Sequence, residues 1–276
     1  FAFIADEVKA EKIISTLMQQ GADLSDHSVL SAIDSIAVGP KLPVPKVTAP
    51  QGITTPMQNG VTTAKPKLAN GVAQPTMDSK DLTKVSGPKG SNPGGVYVDG
   101  TGKKFYMKEA KSEAHARAEV LATNLYKEAG ITVPDLQLAT VEGKIGVSSR
   151  ILEGTKTLPA SQLAALDGAT QGFATDAWLA NWDAVGLNYD NLLSYQGQAI
   201  RIDAGGSLMW RASGAPKGAA FGNAVTELDT LRDAYKAKQA SQVFGKMTDA
   251  QVSASIDRVL AITDQRIREI VNTYMP

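Results

Sequence analysis

Asn181-Trp182-Asp183, then Asn188, then Asp190-Asn191, and beyond a short apolar stretch Asp203-Ala204-Gly205-Gly206, is the part of this chain that decides how it reads. Two carboxylates, each framed by carboxamides or glycines, are separated by a strand-like segment. Magnesium-dependent phosphoryl transfer requires such a set: one Asp to orient an attacking hydroxyl, an Asn and a second Asp to hold Mg²⁺, and glycine where backbone passes close to phosphates. Asp183 ends an apolar helical stretch, between Trp182 and Ala184, rather than lying on a charged face. Asp203 follows Ile200-Arg201-Ile202 and precedes Gly205-Gly206, which puts its carboxylate at a strand terminus. Helix and turn capping accounts for one or two such residues, but poorly for Asn181, Asp183, Asn191 and Asp203 together.

Upstream, Val96-Tyr97-Val98, a turn at Asp99-Gly100-Thr101-Gly102 and a strand over 103–108 predict a hairpin. Alternation in Lys104-Phe105-Tyr106-Met107-Lys108 turns Lys108 to the same face as Tyr106. A lysine there can reach nucleotide phosphates, and its long side chain needs a carboxylate to hold it. Glu119 is that partner, with Glu113 as the fallback. Both lie on a helix that Ser112 can cap, which runs to about Ala129 and which Gly130 ends. The approach Gly87-Pro88-Lys89-Gly90-Ser91-Asn92-Pro93-Gly94-Gly95 offers free backbone N–H groups suited to anions, so Ser91, Asn92, Gly94 and Gly95 are candidate nucleotide-binding residues. Its spacing matches neither the P-loop nor the dinucleotide fingerprint. His115 reads as a surface or boundary residue, and Trp178, Trp182 and Trp210 as core or pocket wall.

The rest of 91–276 reads as α+β. A second hairpin is expected over 136–141 and 145–151 around Glu142-Gly143, and a largely helical stretch over 161–182. Short strands flank Gln196-Gly197, and helices follow over 225–237 and 249–274, where Val252, Ile256, Val259, Leu260, Ile267 and Ile270 mark an apolar stripe. Before this region the chain changes character twice. Residues 1–40 read as a pair of amphipathic helices separated by Gly21, with apolar faces that need a partner surface. Residues 41–88, rich in Pro, Thr and Lys, read as an extended arm or linker; from residue 46 to 90, Lys46, Lys65, Lys67, Lys80, Lys84 and Lys89 stand against only Asp78 and Asp81. The opening Phe1-Ala2-Phe3-Ile4-Ala5-Asp6-Glu7 is too acidic and too short for a signal peptide, and suggests processing or an ordered fragment of a longer polypeptide.

Composition narrows the chemistry. With 28 basic and 28 acidic residues, nothing in the net charge argues for nucleic acid or a membrane surface. No apolar run approaches the roughly 18 residues of a spanning helix. Cysteine is absent, which excludes disulfides, thiolate metal sites and cysteine nucleophiles; with two His, any general base is a carboxylate.

In order, Gly90-Ser91-Asn92-Pro93-Gly94-Gly95-Val96-Tyr97, Phe105-Tyr106-Met107-Lys108, a helical Glu, Asn181-Trp182-Asp183 with a later Asn, and Ile202-Asp203-Ala204-Gly205-Gly206-Ser207-Leu208 resemble the atypical kinases typified by HipA-type toxins and the phosphatidylinositol kinases. The resemblance covers roughly 86–275. It implies a two-lobed domain over 89–276: a small antiparallel-sheet lobe to about 155, then a mainly helical lobe. It also implies ATP and Mg²⁺ as cofactors, Lys108 on the phosphates secured by Glu119, Asp183 as catalytic base, and Asn191 (with Asn188 as rival) and Asp203 as metal ligands. Val147 to Ile151 would lie near the adenine. The chain departs from the HipA pattern after Asp183, where Ala184-Val185 replace a basic residue and His. The expected function is phosphoryl transfer to a protein hydroxyl, with small-molecule or nucleotidyl transfer as variants of the chemistry. The second expectation is a catalytically silent docking module of a phage particle or secreted assembly. Residues 1–88 would carry the protein partner. Self-association stays open, and a cytoplasmic or virion-associated soluble protein is expected.

Overall fold

The computed structural model describes residues 66–89, 92–222 and 224–275. The expected helical pair over 1–40, the first part of the arm and Ser91 lie outside the described residues. The described chain is mixed α+β, with a curled six-stranded sheet packed against helices.

The arm expected over 41–88 is corrected from residue 67 onward. Its chain forms β1 (Lys67–Ala69), β2 (Val72–Gln74), β3 (Met77–Asp78) and β4 (Thr83–Ser86). Strands this short, broken by Pro75 and largely exposed, carry no period that a sequence reading can detect. They are followed by β5 (Gly94–Val98), β6 (Lys104–Glu109), β7 (Leu136–Val141) and β8 (Lys144–Arg150), the two hairpins expected from the turn residues. The sheet order is β3-β7-β8-β6-β5-β4, with β3 parallel to β7 and every other pair antiparallel.

That order forces the curl. Strands β3 and β4 occupy opposite edges, yet only residues 79–82 separate them. Six flat strands would span about 24 Å at ~4.8 Å each, whereas five peptide steps reach at most about 18 Å. The edges therefore bend toward one another. Glu142, in the β7–β8 turn, clasps them: its backbone N–H donates to Ser79 Oγ at 2.8 Å, and its Oε1 accepts from Tyr97 Oη at 3.0 Å and from Lys84 Nζ. Tyr97, Met107, Ala139 and Val141 fill the concave side with Met77, Leu82 and Phe105.

Helix α1 (Glu113–Glu128) is the spine of the molecule. Ser112 Oγ caps it by accepting from the His115 N–H at 3.1 Å, and Gly130 ends it at φ 73°. It is buried almost all round: Leu121, Leu125 and Tyr126 are fully inaccessible, and so nearly are Arg117 and Glu119. His115, expected at the surface, is 3% exposed. Arg117 stitches three elements together, donating to Glu113 on its own helix, to Ala73 O at 2.9 Å and to Tyr274 O at 3.3 Å.

Three helical expectations change. The stretch 161–182 divides into α2 (Ala160–Ala164) and α3 (Phe173–Trp178) around a 3-10 turn. Gly172, at the start of α3, leaves the space that the Arg201 guanidinium occupies; a Cβ there would lie 2.3 Å from Cζ. After the hairpin of β9 (Leu192–Tyr195) and β10 (Gln198–Arg201), the helix expected over 225–237 shrinks to α4 (Glu227–Thr230), followed by α5 (Lys238–Phe244). The last expected helix is two, α6 (Asp249–Leu260) and α7 (Asp264–Tyr274), the second restarted by Thr263 as its cap. Phe173, Phe244, Leu163, Leu192 and Val243 form a second core away from the sheet. Among the described residues no helix is long and apolar enough to cross a membrane.

Candidate active site

Between the sheet, α1 and the β9–β10 hairpin lies a cleft of about 500 Å³, within the range of small-ligand pockets. Tyr106 and Lys108 enter from β6, Val147 and Ser149 from β8, Glu119, Thr123 and Tyr126 from α1, and Asn181, Asn191 and Asp203 from the loops around the hairpin. Ile151 and Leu152 close one wall, beside the strand end where the adenine was expected.

Lys108 is the electrostatic centre. Its Nζ lies 3.0 Å from Glu119 Oε1 and 2.6 Å from Asp203 Oδ1, so residues far apart in sequence meet on one ammonium. Glu113, the fallback partner, instead pairs with Arg117 one turn along the helix. Burial alone would strip the charge from Lys108, but the two carboxylates outweigh it and raise its pKa above the ordinary lysine value. Glu119 is 2% exposed, and burial pushes it up to about 7 despite the opposing ammonium. Asp203, at the open mouth, has burial raising it and Lys108 pulling harder the other way, so it sits below the ordinary carboxylate value. One cation thus orders two acids: the deep one is readily protonated, the outer one stays charged.

Asp203 adopts a left-handed backbone, φ 55°, directly after β10 and heads the 3-10 turn Ala204–Gly206. The glycines that follow serve close packing. A Cβ at Gly205 would lie 3.1 Å from Glu119 Oε2 and 3.2 Å from Asp203 Oδ1, and one at Gly206 3.4 Å from both Asn181 Oδ1 and Asp183 Cβ. The Gly205-Gly206 backbone therefore packs closely: a Cβ at Gly205 would crowd the Glu119 and Asp203 carboxylates, whereas one at Gly206 would meet Asn181 and Asp183 at ordinary contact distance.

The Asp183 loop hangs from a buried network. Arg201 of β10 grips Asp176 of α3 with two 2.7 Å bonds, Tyr126 Oη donates to Asp176 Oδ1 at 2.8 Å, and Asn181 Nδ2 donates to Tyr126 Oη at 3.1 Å. Asn181 Oδ1 then accepts from the Asp183 N–H at 3.2 Å. Asn191 Nδ2 donates to both the main-chain oxygen of Asp183 at 2.9 Å and its Oδ2 at 3.0 Å. Asn191 O accepts from Ile202 N–H at 2.9 Å, so Asn191 and Asp203 stand at the adjoining ends of β9 and β10. Burial, then the nearby charge of Asp203, raises the Asp183 carboxyl above its ordinary value. Asn188 is exposed, and neither it nor Asp183 lines the cleft, whereas Asn191 does.

The glycine-rich approach behaves differently from expectation. Gly94 and Gly95 belong to β5, are buried, and do not line the cleft; nor does Asn92. A Cβ at Gly94 would strike Met107 O at 2.1 Å and one at Gly95 would strike Ser86 O at 2.2 Å, so close strand packing demands these glycines. Lys89 is the cleft-lining residue of this approach, with its N–H on Tyr106 Oη at 3.1 Å. Sequence reasoning quoted Lys89 and Asp190 without giving either a role, and passed over Tyr126 and Arg201 beneath the loop. The buried pair leaves only a weak trace, an Arg in the middle of the apolar strand Ala199-Ile200-Arg201-Ile202.

The donor set suits a hard divalent cation. With Asn191 Nδ2 committed to Asp183, its Oδ1 is left as an oxygen donor, and Asn191 and Asp203 line the same cleft. Among the described residues no group of three or more His, Asp and Glu side chains forms a metal cluster. One carboxylate and one carboxamide fit Mg²⁺, which keeps waters and substrate phosphates in its shell, better than a metal needing a full protein cage.

No family model matches this chain, and no curated protein matches it. Among solved structures the chain is similar to the crystal structure of CtkA, a proinflammatory kinase of Helicobacter pylori, with a TM-score of 0.40 and 14% sequence identity over 71% of this chain and 91% of that one.

Proposed function

We propose that the protein is a two-lobed, kinase-like phosphotransferase that uses ATP and Mg²⁺ and transfers the γ-phosphoryl group to a hydroxyl, most naturally on a protein. The observation that carries this reading is the convergence of Glu119 and Asp203 on Lys108, in a cleft that Asn191 and Asn181 also line. Lys108 binds the phosphates and Glu119 holds it in place. Asp203 and Asn191 would hold Mg²⁺, which would supply neutralisation of phosphate charge when bound. Asp183, oriented by Asn191, takes the acceptor's proton as its oxygen bonds to the γ-phosphorus; the bond from that phosphorus to the β–γ bridging oxygen breaks and ADP leaves. The raised pKa of Asp183 suits a base that must accept a proton.

Calorimetric titration with Mg·ATP, paired with a phosphoryl-transfer assay on a mixed protein substrate, tests this. Wild type is expected to bind, while Asp183→Ala binds and does not transfer and Asp203→Ala loses both. Absence of binding at millimolar nucleotide would leave a docking module in place of an enzyme. Turnover at the wild-type rate in both variants would remove the assigned roles.

A further inference from the structure

The segment after the Asp203 turn contains a lysine that the chemistry above does not use. Lys217 is 4% exposed, and its Nζ donates to three main-chain oxygens: Ala180 O at 2.8 Å, Gly206 O at 2.8 Å and Leu208 O at 2.6 Å. Ala180 immediately precedes Asn181-Trp182-Asp183, and Gly206 and Leu208 follow Asp203. One ammonium therefore joins the two loops that carry the acids. We propose that Lys217 is a positioning residue, which bolts the Asp183 loop to the Asp203 loop and so fixes the two carboxylates relative to one another.

Three independent features support this. First, Ala180 and Leu208 are non-glycine residues in the left-handed region, at φ 48° and φ 56°. Such backbone is strained and persists only where surroundings hold it; two of the three oxygens that Lys217 grips belong to these residues. Second, burying an ammonium against carbonyls is costly, and burial pushes Lys217 down to about 7. A methionine would fill similar space without that penalty but would leave three inward-facing carbonyls unsatisfied. Three acceptors match the three N–H groups of the charged form, one more than a neutral amine offers. Third, the Trp182 ring, next to Asp183, packs against the same cation: Lys217 Nζ lies 4.8 Å and Arg211 Cζ 5.0 Å from its centre, while Trp182 Nε1 donates to the buried Glu227 at 2.7 Å.

The catalytic consequence rests on the nucleotide-site reading; the bolting itself does not, so the two are tested separately. The chain has no native cysteine, so Lys217→Cys can be alkylated at a single site while unfolded and then refolded. Bromoethylamine restores an ammonium of lysine length, and iodopropane gives the same length ending in a methyl. In hydrogen exchange, the propyl form is expected to lose at least about tenfold of the protection at Asp183, Gly205 and Leu208 amides, with α6 and α7 unchanged, and the aminoethyl form to recover it. Equal protection in the two forms, or a uniform loss across the whole domain, overturns the proposal. Should neither form refold, Lys217→Met expressed directly decides, and wild-type exchange at both loops sinks the idea. In the transfer assay, Lys217→Met is expected to lower kcat at least tenfold with KM for ATP within threefold. If wild type binds no Mg·ATP, the enzyme reading fails while the exchange result still rules on Lys217.

Discussion

At Lys108 the balance between burial and pairing can be read from one atom. Its ammonium offsets two carboxylates, of which Glu119 is the deeper. The folded-state pKa of Glu119, about 7, lies above its ordinary 4.5. The folded protein therefore holds a proton there that the unfolded chain has released between those values. The contribution of Glu119 to stability is complete below about pH 4.5 and is lost as pH rises through 7. Glu119→Gln should remove this slope, and chemical unfolding at pH 5 and pH 8 should show the wild-type loss exceeding the variant's by roughly 2–3 kcal/mol. Under the proposed function, nucleotide affinity should run the other way, because Lys108 has both tethers only once Glu119 is ionised. Titrations of wild type should therefore weaken as pH falls below about 7, and Glu119→Gln should bind weakly at every pH. A lysine with a carboxylate eleven residues on could be paired from the sequence; that the same lysine also meets Asp203 could not, because contact across 95 positions depends on the fold.

Elements place these residues through contacts no pattern announces. Strand β6 reaches the cleft only because β8 lets it lie close. A Cβ at Gly146 would be 2.2 Å from Lys108 O and 3.1 Å from Glu109 Cα. Gly146→Ala should shift β6 and cost about 1–3 kcal/mol, measurable by thermal unfolding, with Mg·ATP affinity reduced as Lys108 moves. The hairpin β9–β10 is joined to α3 by the Arg201–Asp176 pair, whose side chains are 3% and 0% exposed. Asp176→Ala would leave a buried guanidinium without its anion, and a loss of about 3–5 kcal/mol is expected. Adding Arg201→Met should recover part of it, and the coupling in that double-mutant cycle measures the pair. Turn residues made both sheet hairpins legible, since Asp99-Gly100-Thr101-Gly102 and Glu142-Gly143 demand reversal. The long helices were legible only as apolar stripes. Their breaks at residues 165–172 and 261–263 arise from Gly168 at φ 85°, Gly172 making room for Arg201, and Thr263 recapping the chain.

Across the whole molecule, the fold is governed by the closure of the sheet. Glu142 reaches Ser79, Lys84 and Tyr97 from a single turn, holding the edges formed by β3 and β4 toward one another. Glu142→Ala keeps the backbone bond to Ser79 but removes those to Lys84 and Tyr97, so it should quicken hydrogen exchange in β4 several-fold, lower the melting temperature by a few degrees and leave α6 and α7 exchange unchanged. Unaltered exchange in β4 would mean that the curl is held by the apolar residues inside it. The strands before residue 89 read as an arm because elements of two to four residues contain too little periodicity to signal a strand; β1 and β2 pair with each other, and the pairing of β3 and β4 is supplied by β7 and β5, which lie elsewhere in the chain. The sequence alone determined the local facts: which residues are acidic, where turns must reverse, which helix faces are apolar, and that no thiol chemistry is available. Only the tertiary structure decided that Lys108, Glu119 and Asp203 share one site, that Gly94 and Gly95 serve strand packing, and that Lys217 lies beneath both acidic loops. The reason is physical: backbone preferences act over a few residues, whereas the pairing of charges and the burial of an ammonium are settled by which distant segments the closed sheet brings together.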